Sequence, residues 1–180
     1  ARHLPRGPPP ARRPMIQKKI GLIGAPAVGK TSLVRRYVEG QFSDEYLTTI
    51  GVAISRKVVA TDAGEVSLVV WDVNGDDDFA PIRTSYLLGA SAVLLVADGT
   101  RPATLDHALT LYADLSDALG AVPAVLAVNK RDLGEAWAVE DARLDALRAE
   151  GRTVLETSAK NGDAVEAAFA ELAARALGAA

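Results

Sequence analysis

The chain has 180 residues, of which 49% are apolar and 24% are charged, a composition typical of a single soluble α/β domain. It contains no cysteine, which excludes disulfides, thiolate metal sites and a catalytic cysteine. No run of about 18 apolar residues occurs, so we expect no membrane span. The absence of cysteine is compatible with a reducing cytosol, and we expect a cytoplasmic location.

The net charge of −3 conceals an uneven distribution along the chain. Residues 1–38 carry nine Lys and Arg and no acid, whereas the rest of the chain holds 11 bases and 23 acids. Because this acidic body would repel nucleic acid, we expect no nucleic-acid partner.

Residues 1–14 read ARHLPRGPPPARRP, with five prolines and four arginines. This composition predicts a disordered segment, partly polyproline II, and it lacks the apolar core of a secretory signal. The segment is a docking peptide, a weak anchor for anionic membranes, or a solvated leader. We therefore assign a Pro/Arg-rich tail to residues 1–17 and a globular domain to residues 18–180.

The first motif with a chemical meaning spans residues 24–32, GAPAVGKTS, and fits G-x-x-x-x-G-K-[ST]. It lies between an apolar strand predicted at 20–23 and a helix, so its glycines and the helix N-terminus would direct N–H groups at an anion. Lys30 would reach the terminal phosphates of a nucleotide, and the Thr31 hydroxyl would ligate Mg²⁺. On this motif alone, a strand–helix turn that binds nothing is the alternative.

The next segment, residues 39–51, is polar and aperiodic, which predicts a loop. Two β-rich runs follow at 52–60 and 66–72, joined by a short turn typical of a hairpin. The second run ends in Asp72. An acid at the tip of a buried strand in isolation more often starts a turn, but beside a phosphate loop we favour a role in holding Mg²⁺, often through water.

The remainder of the chain alternates strands and helices. The predicted elements are a loop with a short irregular helix at 73–89, strands at 92–97, 124–128 and 153–157, and helices at 104–119, 139–150 and 164–177. This alternation predicts an α/β fold with a mostly parallel, six-stranded sheet, one antiparallel edge strand, and helices on both faces. Ligands bind at the C-terminal ends of such strands. Four candidate residues follow strand ends: Lys30, Asp72, Asn129 and Ala159.

Two further motifs indicate which base is bound. Residues 129–132, NKRD, match N-K-x-D, and residues 156–160, ETSAK, match E-x-S-A-K. With these motifs and the phosphate loop, the chain resembles a small GTPase of the Ras superfamily, closest to its Rab-like members, over residues 18–177. The resemblance implies the P-loop NTPase version of the α/β fold, with GTP or GDP and Mg²⁺ as cofactors.

By this resemblance, the Asp132 carboxylate accepts two hydrogen bonds from guanine that adenine cannot offer. The Ala159 N–H donates to guanine O6, while Lys130 and Lys160 cover the ring. Such a site rejects a base that lacks the matching groups, because its own polar groups would then go unpaired. The nucleotide-binding residues so implied are Ala27, Val28, Gly29, Lys30, Thr31, Ser32, Phe42, Tyr46, Asn129, Lys130, Asp132, Ser158, Ala159 and Lys160.

The resemblance also makes residues 39–51 and 73–89 two switch loops, ordered by GTP and released on hydrolysis. Phe42 would stack edge-on at the guanine, Tyr46 would close over the phosphates, and the Gly75 N–H would meet the γ-phosphate. The implied Mg²⁺ ligands are Thr31, Thr49 and Asp72, with Thr48 the alternative to Thr49. The implied catalytic residues are Lys30, Thr49, Gly75 and Asp76.

The sequence departs from the family pattern in three places. Asp76 stands where the family has a glutamine, and a carboxylate can only accept hydrogen bonds and adds negative charge beside the γ-phosphate. Pro26 removes one N–H from the phosphate loop and narrows the space for an inserted arginine. No cysteine lies near the end of the chain, so we expect no cysteine-linked lipid and at most peripheral membrane contact.

We therefore predict a guanine-nucleotide-dependent switch that binds GTP and GDP with Mg²⁺ and hydrolyses GTP, slowly without an activating protein. The alternative is a GTP-binding scaffold with little or no hydrolysis that works by recruiting partners, and Asp76 favours it. An exchange factor, a GTPase-activating protein and an effector are the implied partners, and the sequence does not indicate which ones.

Overall fold

The computed structural model describes residues 15–45, 51–73 and 80–178, the side chains of 80–83 excepted. The strands are β1 (Ile16–Ile23), β2 (Val52–Thr61), β3 (Gly64–Val73), β4 (Ala92–Asp98), β5 (Ala124–Asn129) and β6 (Val154–Glu156). The helices are α1 (Lys30–Glu39), α2 (Ala80–Leu87), α3 (Ala103–Leu119), α4 (Asp141–Ala149) and α5 (Val165–Gly178).

The six strands form one sheet in the order β2-β3-β1-β4-β5-β6. Every neighbouring pair is parallel except β2 and β3, which form the antiparallel hairpin at one edge. The predicted fold class, including the single antiparallel edge strand, is confirmed.

Strand β1 begins earlier than the sequence pattern indicated. It starts at Ile16, whereas the predicted strand started at residue 20 and the predicted domain at residue 18. Its first residues are exposed or half-buried, but their backbone pairs with β3 from the Ile16–Val66 register onward. Backbone pairing therefore extends this strand beyond the buried apolar run that marks it in the sequence.

The core has two layers, one on each face of the sheet, and β4 supplies both. Its alternate residues Ala92, Leu94 and Val96 pack with α1 and α5, whereas Val93, Leu95 and Ala97 pack with α3 and α4. This alternation follows from the two-residue period of a strand. Both faces are covered, which explains why β4 reads as a continuous apolar run.

The register of the sheet brings the candidate residues to one edge. Leu22 lies beside Asp72, and Asp98 lies beside Asn129, which in turn precedes the loop after β5. The carboxyl ends of the parallel strands therefore lie at one edge of the sheet, where ligands bind in such folds. Within the described ranges, none of the helices has the length and apolar character that crossing a bilayer requires.

Candidate functional site

The loop between β1 and α1 needs both of its motif glycines. A Cβ at Gly24 would lie 2.3 Å from the Val96 carbonyl oxygen, and one at Gly29 would lie 2.3 Å from Asn129 Nδ2. Gly29 also has a φ of 103°, in the left-handed region that favours glycine. The loop is therefore pressed against β4 and β5, which explains the glycine spacing of the motif.

The carbonyl groups of residues 24–28 all accept hydrogen bonds from side chains. The donors are Lys30 for Gly24 and Ala25 (2.9 Å each), Arg101 for Pro26 (3.1 Å), Lys130 for Ala27 (2.9 Å) and Asn129 for Val28 (3.1 Å). Three of these four donors carry a positive charge. Because the carbonyls are held by side chains, the backbone amides of the loop remain for an anion, and the surrounding cations favour one.

Lys30 is the first residue of α1 and is buried, with only 7% of its surface exposed. Its ammonium is held against the carbonyls at the start of the loop, at the N-terminal end of the helix. The helix dipole and the first N–H groups of α1 point the same way. This end of the loop therefore concentrates positive charge where a phosphate group would lie.

The two predicted Mg²⁺ ligands that the structure describes lie together. Thr31 Oγ1 donates a hydrogen bond to Asp72 Oδ2 at 2.5 Å, and Asp72 is 2% exposed at the end of β3. Hydroxyl and carboxylate oxygens are the ligands that Mg²⁺ prefers, usually with waters and substrate phosphates completing its shell. The donor set therefore fits this cation.

Asn129 connects the phosphate loop to the segment after β6. Its Nδ2 donates to the Val28 carbonyl, while its Oδ1 accepts from Thr157 Oγ1 and from the Ala159 N–H, each at 3.2 Å. Asn129 is 2% exposed, so these bonds form away from water and hold the two loops in register. In this structure the Ala159 N–H, predicted to meet guanine O6, donates to Asn129.

Asp132 is oriented by Ser158. The Ser158 hydroxyl donates to Asp132 Oδ1 at 2.7 Å and accepts from the Asn161 N–H at 3.0 Å, and Ser158 is buried. A serine fits here because a hydroxyl can donate and accept at once. The half-buried carboxylate is thereby fixed in one orientation, as a group that reads a base edge must be.

Arg36 contributes to the site although no sequence motif marked it. It lies on α1, and its guanidinium donates to the Ala159 carbonyl at 2.8 Å and to the Lys160 carbonyl. Arg36 therefore ties Ala159 and Lys160, which lie 123 and 124 positions further along the chain, to the helix that follows the phosphate loop. The Lys160 side chain itself is exposed.

Asp98 is a second residue that sequence reasoning missed. Only 1% of it is exposed, and it accepts from Lys130 Nζ at 2.8 Å, Arg101 Nε at 3.0 Å, and the Thr100 N–H and hydroxyl at 2.9 and 2.7 Å. Burial by itself would raise the pKa of Asp98, but the hydrogen bonds from Lys130, Thr100 and Arg101 outweigh it and lower that pKa. In the sequence, Asp98 is an acid at the end of a buried strand, which is the same pattern that marked Asp72.

Trp137 holds the loop after β5 in place. Its ring packs on Gly99, where a Cβ would come within 2.0 Å of the indole, and the Arg131 guanidinium lies 4.8 Å from the ring centroid. The Gly99 carbonyl also accepts from the N–H groups of Ala138 and Val139. The residues around the NKRD motif are therefore packed against the end of β4.

The remaining predicted residues fall into two groups. Phe42 is described: it is half-buried and packs against the core layer under α1 and α5. Ser32 lies on α1. Five residues lie outside the described ranges, as does the segment 1–14: Tyr46, Thr48, Thr49, Gly75 and Asp76.

The comparisons with known proteins agree with this geometry. The family model described as "Ras family" matches residues 19–178. The chain is 34% identical to the Ras-related protein Rab-13 of Bos taurus over 157 residues, covering 86% of this chain and 77% of that protein. It is 37% identical to the Ras-related protein Rab11D of Lotus japonicus over 157 residues (86% and 72%). It is 32% identical to the Ras-related protein Rab-7b of Mus musculus over 172 residues (92% and 85%).

The family match spans nearly the whole described part of the chain, from β1 to α5. It therefore covers the phosphate loop, the Asp72 strand end and both loops predicted to read the base. The protein belongs to the Ras family, as a Rab-like small GTPase that binds GTP and hydrolyses it as a molecular switch.

Proposed function

We propose that this GTPase holds its nucleotide across the carboxyl edge of the sheet, with the phosphates in the loop 24–32 and the guanine between residues 129–132 and 158–160. The observation that carries the assignment is the set of five loop carbonyls held by side chains. That arrangement leaves the loop amides for phosphate, and two of its donors come from the NKRD motif itself.

Guanine selection would rest on Asp132. Its orientation by Ser158 supports this role, because a carboxylate fixed by one hydrogen bond keeps acceptor positions for the N1–H and the amine of guanine. Adenine offers no such pair of donors. The Asp132 carboxylate would then be left desolvated and unpaired, which is the costly outcome that makes such sites selective.

Thr31 and Asp72 would hold Mg²⁺, with Thr49 as the third ligand from the loop 39–51. Their juxtaposition at 2.5 Å supports the first two assignments. When bound, Mg²⁺ supplies positive charge to the β- and γ-phosphates. The side chains orient that charge: Thr31 through the first turn of α1, and Asp72 through the rigid end of β3.

Hydrolysis would proceed by in-line attack of water on the γ-phosphate. Lys30 and the loop amides would stabilise the charge on the transferring group, with the Gly75 N–H as a further donor. Asp76 would contact the attacking water in place of the glutamine of the family. A carboxylate can accept a hydrogen bond from that water but cannot donate one to the transition state. We therefore expect a slow intrinsic rate.

The partners would be an exchange factor, a GTPase-activating protein and an effector. We place the effector contact at β2, the edge strand between the two predicted switch loops, where Ile54 and Val58 are 50% and 49% exposed on one face. We also place the protein in the cytoplasm, with at most peripheral membrane contact through the arginines of residues 1–14, which suit anionic headgroups.

The variant Thr31→Ala tests the metal assignment. We expect the wild type to bind GDP more tightly in Mg²⁺ than in EDTA, and the variant to bind with its EDTA affinity in both buffers. Titration with a fluorescent GDP measures the four affinities. If Thr31→Ala keeps the full Mg²⁺ effect, Thr31 is not a ligand. If wild-type affinities for GDP and ADP are equal, the base assignment is wrong.

A further inference from the structure

Arg101 lies at the phosphate loop, and neither the motifs nor the family resemblance assigned it a role. It follows β4, and its Nε donates to Asp98 while its Nη2 donates to the Pro26 carbonyl at 3.1 Å. The third guanidinium nitrogen, Nη1, donates to none of the residues that the structure describes. The side chain is 46% exposed, so the guanidinium borders solvent at the mouth of the site.

The order of the loop contacts places Arg101 beside Lys30. Lys30, which would serve the terminal phosphates, holds the carbonyls of residues 24 and 25. Lys130 and Asn129, which belong to the base motif, hold those of 27 and 28. Arg101 contacts the intervening Pro26, directly after the two carbonyls held by Lys30, and therefore lies between Lys30 and the base motif along the loop.

Among the residues that the structure describes, the cluster around Arg101 carries a positive charge. Asp98 pairs with both Arg101 and Lys130, so these three side chains together carry a net charge of +1. Asp98 also fixes the Nε edge of the guanidinium, so the Nη groups form the edge that can contact a phosphate. A planar fork held at one edge is the form in which arginine recognises phosphate oxygens.

We propose that Arg101 is a catalytic arginine for GTP hydrolysis, supplied by the chain itself; this inference rests on the proposed function. In the reaction, the water oxygen bonds to the γ-phosphorus as the bond to the β–γ bridging oxygen breaks. The electron pair of that bond stays on GDP, and the water proton ends on inorganic phosphate or in solvent. The Nη groups of Arg101 turn from the Pro26 carbonyl to the oxygens on which this charge develops.

Two features of this chain make such a cation useful. Pro26 lacks the N–H that another residue would present beside the γ-phosphate. By the family resemblance, Asp76 adds a negative charge beside the γ-phosphate, and a guanidinium at the γ-phosphate would offset that charge. Arg101 donates to the Pro26 carbonyl, so its guanidinium lies beside the residue that lacks this N–H.

A purely structural Arg101 would behave differently. If the residue only braced the loop through the Pro26 carbonyl, its removal would weaken binding of GTP and GDP together and leave the rate of bound GTP unchanged. A group that acts in the transition state instead lowers the rate and leaves ground-state affinity nearly constant. The two roles are therefore separated by measuring affinity and single-turnover rate on the same variants.

The experiment compares Arg101→Ala and Arg101→Lys with the wild type at saturating GTP and Mg²⁺. We expect Arg101→Ala to hydrolyse about twentyfold more slowly, the ratio between switches with and without an arginine in cis. Arg101→Lys should recover part of the loss, because it restores charge but not the fork. GTP and GDP affinities should stay within about threefold, a difference of less than 1 kcal/mol.

Arg143→Ala is the matched control. Arg143 is also 46% exposed and paired with one acid, Asp106, but it lies on α4 and contacts α3 rather than the phosphate loop. It removes the same charge from outside the proposed site, so its rate should match the wild type. Equal slowing in both variants would show a general charge effect and would overturn the proposal.

The second readout is binding of aluminium fluoride by the GDP form, which mimics the transferring phosphoryl group and needs no turnover. We expect the wild type to retain fluoride-dependent tightening of fluorescent GDP and Arg101→Ala to lose it. Unchanged hydrolysis and trapping in Arg101→Ala overturn this inference alone. A wild type that binds GTP without hydrolysing it overturns both this inference and the hydrolytic mechanism, and failure to bind GTP overturns the proposed site.

Discussion

The two ends of the phosphate loop are built differently. At the end proposed for the base, residues 27 and 28, Asn129 is 2% exposed and makes three hydrogen bonds that join the loop to residues 157 and 159. At the end proposed for the terminal phosphates, residues 24–26, the buried Lys30 holds two carbonyls, whereas Arg101 is 46% exposed and holds the loop by a single hydrogen bond to Pro26. The first end is a buried network, and the second includes a cation at the edge of solvent.

This difference separates affinity from turnover. A buried and fully hydrogen-bonded network is pre-organised, so it can recognise the same base in both nucleotide states. An exposed side chain held by few bonds can change partners as the terminal phosphate is bound, attacked and lost. We therefore expect changes at the base end to alter nucleotide affinity, and changes of the exposed cation at the other end to alter rates.

Replacing Asp132 with Asn should have the largest effect. The change converts one of the two acceptors into a donor, so GTP should lose at least a thousandfold in affinity while xanthine nucleotides gain. Competition titration with GTP, XTP and ATP measures the preference. Recovery of tight binding by XTP shows that the variant is folded, and an unchanged preference for GTP would remove Asp132 from the base site.

Replacing Asp76 with Gln should raise the single-turnover rate of GTP hydrolysis about ten- to a hundredfold, which lies within the usual contribution of a positioned proton acceptor or donor. GTP affinity should change little, because the amide acts on water in the transition state. The measurement runs from pH 5 to 9. If Asp76 instead acts as a general base, the wild-type rate rises with pH and the variant is slower.

Asp98 joins the two ends, because it accepts from Lys130 and from Arg101. Asp98→Asn should lower the free energy of unfolding by about 2 kcal/mol at pH 7, the scale of a charged hydrogen-bond network losing its acceptor. Since the pKa of Asp98 is lowered in the folded state, its stabilisation is complete above the unfolded value of about 3.9 and is lost as pH falls through the folded pKa. Urea unfolding at pH 7 and below pH 4 measures both.

The control for Asp98 is Asp106→Asn on α3. Asp106 also pairs with one arginine, Arg143, but it is 71% exposed. An exposed pair contributes about 0.5 kcal/mol or less, so this variant should unfold like the wild type. If the Asp98→Asn difference does not shrink toward acid pH, the carboxylate charge is not the source of its stability.

Local patterns were enough to predict the fold. The continuous apolar run of β4 indicated a strand covered on both faces, which the structure confirms. The glycine spacing indicated a loop that presents N–H groups to an anion, and the structure adds that both glycines are pressed against β4 and β5. These features depend on residues near one another in sequence, where side-chain period and backbone sterics act directly. The two family motifs, which are also short, predicted the loops that would bind the base.

Sequence patterns did not identify the side chains that hold the site together. Arg36 meets residues 159 and 160, Arg101 meets Pro26, and Trp137 packs on Gly99. In the sequence, each is an ordinary surface arginine or a lone aromatic residue, and nothing local distinguishes it from a solvated one. The first residues of β1 were missed for a related reason, since their strand conformation comes from pairing with β3 rather than from burial.

The sequence by itself determined the class of fold and the position of the phosphate-loop motif, and it predicts the residues that read guanine, because these depend on short motifs with their own chemistry. Only the tertiary structure decided which cations hold the loop and which acid unites them. Asp98, Lys130 and Arg101 come from two strand ends and an adjoining turn, and they become a cluster only because β4 and β5 lie side by side with Asp98 opposite Asn129.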